Sequence, residues 1–288
     1  MDLDGDGKRD ILSGSYSRQD EAMAGLFQVL RGQKDGNFKP AEPLQGTDEK
    51  PLIIPVEKEN WIENICTRPF AVDWNGDGNL DLVVGNFAGT FYLFKGEGKG
   101  KFAPMPDKIM VGDQPLKIDG HHSDPFVVDW DGDGDLDLLS GSSDGGVQWA
   151  ENRAGRGKLP QLERFQSLIE RGPQFDYGQI LQEKDLKVPA GCTRIWVDDV
   201  NSDGKLDLLV GDLVTLVSPA DKISSEQFKQ KFADWQQSVS EVSKLLNSTT
   251  GSEEKRTEAQ KRFQELYNKR SEFMKEDRTG FVWLYLQK

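Results

Sequence analysis

The sequence predicts an all-β protein, a β-propeller with an α-helical hairpin inserted near its C-terminal end. Three observations predict it. One acidic loop pattern occurs four times. Each copy is joined to short apolar runs punctuated by glycine. One stretch of helical periodicity interrupts the last copy. Four short strands in each of several units, repeating every roughly 50 to 70 residues, are how propeller blades read in sequence.

The loop is nine residues long. Its side-chain oxygens stand at positions 1, 3, 5 and 9: Asp2, Asp4, Asp6, Asp10; Asp73, Asn75, Asp77, Asp81; Asp129, Asp131, Asp133, Asp137; Asp199, Asn201, Asp203, Asp207. Position 6 is always glycine (Gly7, Gly78, Gly134, Gly204), as a sharp turn with positive φ requires. Carboxylates crowded into nine residues repel one another unless a cation sits among them or the segment is unfolded. Each loop runs straight into an apolar segment, which argues for the cation. Calcium takes six to eight oxygens at about 2.3–2.6 Å, whereas magnesium keeps a water-rich octahedron. The expected ligands are therefore those side chains plus the backbone carbonyl at position 7, from Lys8, Asn79, Asp135 and Lys205. Up to four Ca²⁺ are expected, one per repeat. The loops carrying Asn75 and Asn201 should bind more weakly, and the fourth loop has Ser202 at position 4, where the others have glycine. The competing reading is an acidic hairpin whose aspartates cap turns.

The first positions, Asp2, Asp73, Asp129 and Asp199, are separated by 71, 56 and 70 residues. Around them lie the predicted strands. The first strand of a unit precedes the loop, at 69–72, 125–128 and 194–197. The second follows it and ends at Gly14, Gly85, Gly141 or Gly211. The third begins at Gly25, Gly89, Gly146 or Gly280. The fourth is expected after a Lys/Gly turn, at Asn37–Phe38 and Lys101–Phe102. Apolar residues at both phases of 91–94 suit a strand covered on both faces. Repeat one lacks its first strand, and repeat four ends after its third. Upstream blades are expected to be missing, the alternatives being an open arc or a ring closed by another chain.

These repeats resemble the FG-GAP/VCBS class of β-propeller, to which the integrin α-subunit headpiece is also similar. The resemblance covers nearly the whole chain outside about residues 222–277. It implies a Ca²⁺ between the first and second strands of each blade and an extracytoplasmic setting. It implies no single activity, because the fold hosts adhesion, lectin, lyase and structural roles.

Formal charge is −13. Four Ca²⁺ add eight positive charges and would bring it to −5, so much of the acidity needs no basic partner. No basic stripe supports nucleic-acid binding. No run of about 18 apolar residues suggests a membrane span, and no export signal precedes Asp2.

Residues 222–277 turn to Lys, Glu, Gln and Ser. Ser224 and Gln227 have capping-box spacing. Phe228, Phe232, Trp235, Val239, Val242 and Leu246 form a heptad, coiled-coil-like seam. A break over 247–251 precedes a second helix with Ala259, Phe263, Leu266, Arg270 and Phe273. The expected organisation is propeller over 1–221, antiparallel hairpin over 222–277 and a returning strand over 278–288.

Cys66 and Cys192 hold equivalent positions seven residues before a loop and are expected as free thiols, two blades apart and beyond disulfide reach. Arg68, His121, His122, Asp124 and Arg194 could cluster at a channel mouth, chiefly as water-bound polar residues. Trp74 and Trp130 should pack between blades. No catalytic residue is specified by any motif. The expected role is a calcium-binding interaction module for a protein or carbohydrate ligand. The alternatives are a polysaccharide lyase or hydrolase, or a lectin-like binder.

Overall fold

The computed structural model describes residues 1–16, 25–55, 58–247 and 253–288. Residues 248–251 of the expected inter-helix break lie outside them. The chain is mostly β, and its strands follow the loop pattern. Repeat one gives β1 (Ile11–Ser13), β2 (Gln28–Leu30) and β3 (Glu42–Pro43). Repeat two gives β4 (Arg68–Val72), β5 (Asp81–Gly85), β6 (Phe91–Phe94), β7 (Gly96–Gly98), β8 (Lys101–Phe102) and β9 (Asp107–Lys108). After β10 (Met110–Val111) and β11 (Gln114–Pro115), repeat three gives β12 (Asp124–Val128), β13 (Asp137–Gly141), β14 (Val147–Ala150) and β15 (Gln166–Ile169). Then come β16 (Gly191–Asp198), β17 (Asp207–Pro219), helices α1 (Ser225–Asn247) and α2 (Glu253–Lys269), β18 (Met274–Thr279) and β19 (Val282–Tyr285).

The sheets are antiparallel meanders in chain order: β1-β2-β3, β4-β5-β6-β9 and β12-β13-β14-β15. Their registers repeat. Gly85 faces Phe91 and Gly141 faces Val147, as Gly211 faces Val282. Two of the expected outer strands are corrected. Lys101–Phe102 pairs with β7 as a local ribbon, and β9 forms the sheet edge instead. In repeat one β3 is that edge, and Phe38 only bridges Gly32. The cause is the turn at Gly98, Lys99 and Gly100, all at positive φ (84°, 52° and 68°), which folds the chain back at once. Phe102 is then buried in the core rather than extended along an edge.

The chain divides into two compact units. The first holds Met1–Gly172, Val188–Leu213 and Phe281–Lys288; the second holds Pro173–Lys187 and Val214–Gly280. β17 contributes to both. Residues 208–211 pair with β19 in the first unit, and residues 214–219 pair with β18 in the second.

Within the first unit the cores lie between consecutive sheets. Phe27 and Val29 of repeat one pack with Leu82, Val84 and Phe94 of repeat two. Val83, Phe91 and Leu93 pack with Leu138 and Ala150 of repeat three. Leu139 and Val147 pack with Leu208 and Val210 of repeat four. Alternate residues of each central strand thus serve opposite neighbours, as the period of a strand dictates. Trp74 is buried in the second cluster, and Trp130 packs against the third. Strands β1, β4, β12 and β16 meet in that order. No closed ring of sheets is found among the described residues.

In the second unit, Ser224 N–H bonds the Gln227 side chain at 2.9 Å, and Gln227 N–H bonds Ser224 Oγ at 3.2 Å. This reciprocal cap starts α1. Phe228, Trp235 and Val242 are buried, with Phe232 and Val239 half-buried beside them. Trp235 Nε1 donates to the Leu266 carbonyl at 2.9 Å, tying α1 to α2. Residues 173–187 belong to this unit because Leu181 exchanges backbone hydrogen bonds with Val217 on β17, both 2.9 Å. Gly178 approaches Phe232 so closely that a Cβ there would lie 1.9 Å from the ring.

Candidate metal centres

The four acidic loops fold alike, and backbone N–H groups organise their carboxylates. The position 1 carboxylate accepts from the position 6 glycine: Gly7 at 2.8 Å, Gly78 at 2.9 Å, Gly134 at 3.1 Å and Gly204 at 2.9 Å. The position 3 oxygen accepts from the position 5 N–H, as in Asp77 to Asn75 at 2.9 Å and Asp133 to Asp131 at 3.2 Å. Position 5 accepts from position 7, as in Asp135 to Asp133 at 3.0 Å. The position 6 glycines have φ of 83°, 90°, 95° and 86°, as the turn demands.

Position 9 behaves differently. Its carboxylate is buried at 6% exposure or less in all four repeats (Asp10, Asp81, Asp137, Asp207). One oxygen accepts the position 2 N–H: Leu3, Trp74, Trp130 or Val200, at 3.0–3.2 Å. The other accepts an N–H just beyond the neighbouring strand: Gly32, Gly96, Asn152 or Gln287, at 2.7–3.1 Å. The loop is thereby clamped to the end of β2, β6, β14 or β19. Burial pushes the Asp137 carboxyl up to about 6, and raises Asp81 for the same reason.

A hard divalent cation fits this donor set. Carboxylate oxygens of Asp129, Asp131 and Asp133 lie within 4.8 Å of one another, and so do those of Asp2, Asp4 and Asp10. Oxygens on opposite sides of one calcium at about 2.4 Å would stand about 4.8 Å apart. The loops differ in what else touches these oxygens. In the first, the Lys8 ammonium pairs with Asp6, and Arg31 lies 3.3 Å from Asp4 and 3.2 Å from Asp10. In the second and fourth, the Asn75 and Asn201 amides donate to Asp77 and Asp203, at 3.0 and 3.1 Å. In the third, no cationic or amide side chain reaches Asp129, Asp131 or Asp133 among the described residues. The position 7 residues Asn79, Asp135 and Lys205 follow the turn, with their backbone N–H groups turned toward position 5.

Of the second candidate cluster, the structure brings three members together. Arg68 Nε and Arg194 Nε each lie 3.7 Å from Asp124 Oδ1. These residues share one repeat position, five residues before the loop. Arg68 also donates to the His122 carbonyl at 2.8 Å. Burial raises the Asp124 carboxyl and lowers the Arg68 guanidinium and the His122 imidazole. His121 stands aside, exposed, with Nδ1 3.9 Å from Asp144. Cys66 and Cys192 are both free, and burial pushes the Cys66 thiol up. Cys66, His122 and Cys192 share an unusual left-handed backbone, with φ of 53°, 58° and 53°.

The motif reading missed the residues that follow these three. Thr67, Ser123 and Thr193 each clasp the preceding repeat. Their hydroxyls accept from Ser15, Asn86 and Ser142 N–H at 2.8 Å, and their own N–H groups donate back to the same three residues' carbonyls at 2.8–3.0 Å. The Ser or Thr recurring six residues before the second, third and fourth loops was the available signal.

No helix among the described residues is long and apolar enough to cross a membrane. A comparison with curated proteins found no match. The FG-GAP-like repeat profile matches residues 73–140 and 129–210, which hold the second, third and fourth acidic loops. Residues 73–210 are thus similar to FG-GAP-like repeats.

Proposed function

We propose that this chain is a calcium-stabilised binding or interaction module of the extracytoplasmic space, its repeats arranged as blades of a propeller arc. The observation that carries the reading is that carboxylate oxygens of Asp129, Asp131 and Asp133 lie within 4.8 Å of one another, held by backbone N–H groups and, among the described residues, by no competing cation. When bound, calcium would neutralise carboxylates that otherwise repel, and fix the turn joining the first two strands of a repeat. Asp129, Asp131 and Asp133 would hold it in the third loop, and Asp2, Asp4 and Asp10 in the first; the position 9 carboxylate also holds each loop against its own sheet. FG-GAP-like repeats support an interaction role, and Asp124 of the second cluster is engaged by two guanidiniums, those of Arg68 and Arg194.

Thermal unfolding in EDTA against millimolar calcium tests this reading. A ligand bound only by the native state adds RT ln(1 + [L]/Kd), about 2.7 kcal/mol per site at a hundredfold excess. A rise of several degrees with calcium, and none with equal magnesium, is the expected result. Identical melting in EDTA and calcium would remove calcium from the account.

A further inference from the structure

A cavity of about 540 Å³ lies between the second and third acidic loops, within the range of about 300–1,000 Å³ usual for small-molecule sites. It belongs to repeats two and three, inside the first unit. The turn over residues 155–158 forms one wall and touches both loops. Gly155 N–H donates to Asp135 Oδ2 of the third loop at 2.7 Å. Gly157 packs so tightly on the second loop that a Cβ on Gly76 would lie 3.0 Å from its Cα. Gly155 and Gly157 have φ of 83° and 70°, which lets the turn fold this sharply. Beneath it the buried Asn152 accepts the N–H groups of Ala154 and Gln161 at 3.1 and 2.9 Å. The wall is therefore backbone held at several points.

Two features of the lining lack partners. Asp135 is 4% exposed, yet its Oδ1 has no hydrogen-bond partner among the described residues. A buried acceptor without a donor is unfavourable and calls for a ligand that supplies one. Arg156 and Lys158 are exposed on the turn and line the same cavity. Neither forms an ion pair among the described residues, although Asp73, Asp129 and Asp135 share the cavity with them. One chemistry answers both features. An anionic group would meet the two cations in charge-assisted hydrogen bonds, and a neighbouring hydroxyl would donate to Asp135 Oδ1. We infer that this cavity binds a small monoanionic sugar, acidic through a carboxylate or a sulfate.

The charges favour a single negative group. Arg156, Lys158 and an ionised Asp135 sum to +1, which a monoanion balances. Asp73 and Asp129 also line the cavity, and each is the first residue of an acidic loop. Unneutralised, they would repel an anion. The site therefore rests on the calcium reading above, because calcium in the two loops would offset these carboxylates and leave the cations of the turn to set the local potential.

An NMR titration of the full chain at neutral pH and saturating calcium tests it, read at the indole N–H of Trp74, which lines the cavity. Methyl glucuronide or glucose 6-sulfate should shift this signal saturably, and the tighter of the two names the anion. Methyl glucoside, which lacks the charge, and acetate, which lacks the hydroxyls, should each bind at least about tenfold more weakly. Added salt should weaken binding by screening the pairs. Arg156→Ala combined with Lys158→Ala should weaken the acidic sugar about tenfold and abolish its advantage over methyl glucoside. Both side chains are exposed and neither is a loop ligand, so this variant should keep the parent's melting response to calcium. Absence of a saturable shift with either acid, in a protein whose melting responds to calcium, overturns the site and leaves the calcium reading standing. So does an acidic sugar that binds the double variant as tightly as the parent. Melting indifferent to calcium overturns both readings.

Discussion

In the third loop the carboxylates do two jobs, and burial separates them. Asp131 is exposed and faces the candidate ion, whereas Asp137 is 1% exposed and faces two backbone N–H groups. Asp137→Ala orphans the N–H groups of Trp130 and Asn152. Each buried donor left unpaired costs about 1–3 kcal/mol. That variant should melt lower than the parent even in EDTA, whereas Asp131→Ala should match the parent in EDTA and lose only the calcium response. Equal melting of both variants in EDTA would mean that position 9 is not a clamp. The pH response of Asp137 has a definite sign. Its folded value of about 6 lies above its ordinary 3.8, so the folded state holds the proton more tightly. The stabilisation is complete below about pH 4 and is lost as pH rises through about 6. His122, lowered by burial, works oppositely, since its folded form resists protonation as pH falls through about 6.5. The difference between parent and Asp137→Asn isolates the carboxyl: in EDTA, the parent should lose stability relative to the variant between pH 4 and 6. The acidic spacing marked positions 1, 3, 5 and 9 in the sequence as the oxygen-bearing ones. The clamp at position 9 was not legible there, because its partners, such as Gly96 and Gln287, lie 15 and 80 residues away on another strand.

At the scale of elements, the sequence was most informative where a period ran long. The step of four and three from Phe228 to Leu246 marks α1, and the structure buries every seventh residue of it, Phe228, Trp235 and Val242. It was least informative at two-residue strands. Asp107–Lys108 carries no apolar signal and becomes a sheet edge only because Tyr92 and Leu93 offer it backbone partners. Residues 173–187 were likewise silent, since their place depends on a single bridge from Leu181 to Val217. Gly178 in that segment has φ of 80° and sits against the Phe232 ring. Gly178→Ala therefore meets both a backbone penalty of about 1–2 kcal/mol and a steric one of about 1–3 kcal/mol. Trp235→Ala removes a buried ring and its bond to Leu266, at about 3–5 kcal/mol. Both should lower the temperature at which helical circular dichroism is lost. A Gly178→Ala protein with parent melting would show that the segment does not pack as described.

For the whole molecule the four loops are one motif in three electrostatic settings, and these should set an order of filling. Calcium entering the third loop would displace no cationic or amide side chain of the described residues from Asp129, Asp131 or Asp133. Entering the first, it competes with Lys8 for Asp6 and with Arg31 for Asp4. In the second and fourth it meets a neutral amide oxygen in place of a carboxylate, and an amide N–H already bonded to position 5. The third loop should therefore bind first, and Asp131→Asn should remove the tightest step from a calorimetric titration while sparing the later ones. The linkage relation makes the same order visible in stability. Each site adds about 1.4 kcal/mol for every tenfold rise in calcium above its own dissociation constant. The melting temperature of the first unit, followed through tryptophan fluorescence, should rise gently at low calcium. It should rise more steeply once the weaker loops begin to fill. Asn75→Asp should move that steepening to lower calcium, because it supplies the second loop with the missing carboxylate and removes the competing amide. A single slope across the whole range, unchanged by Asn75→Asp, would mean that the loops do not differ as their contacts imply.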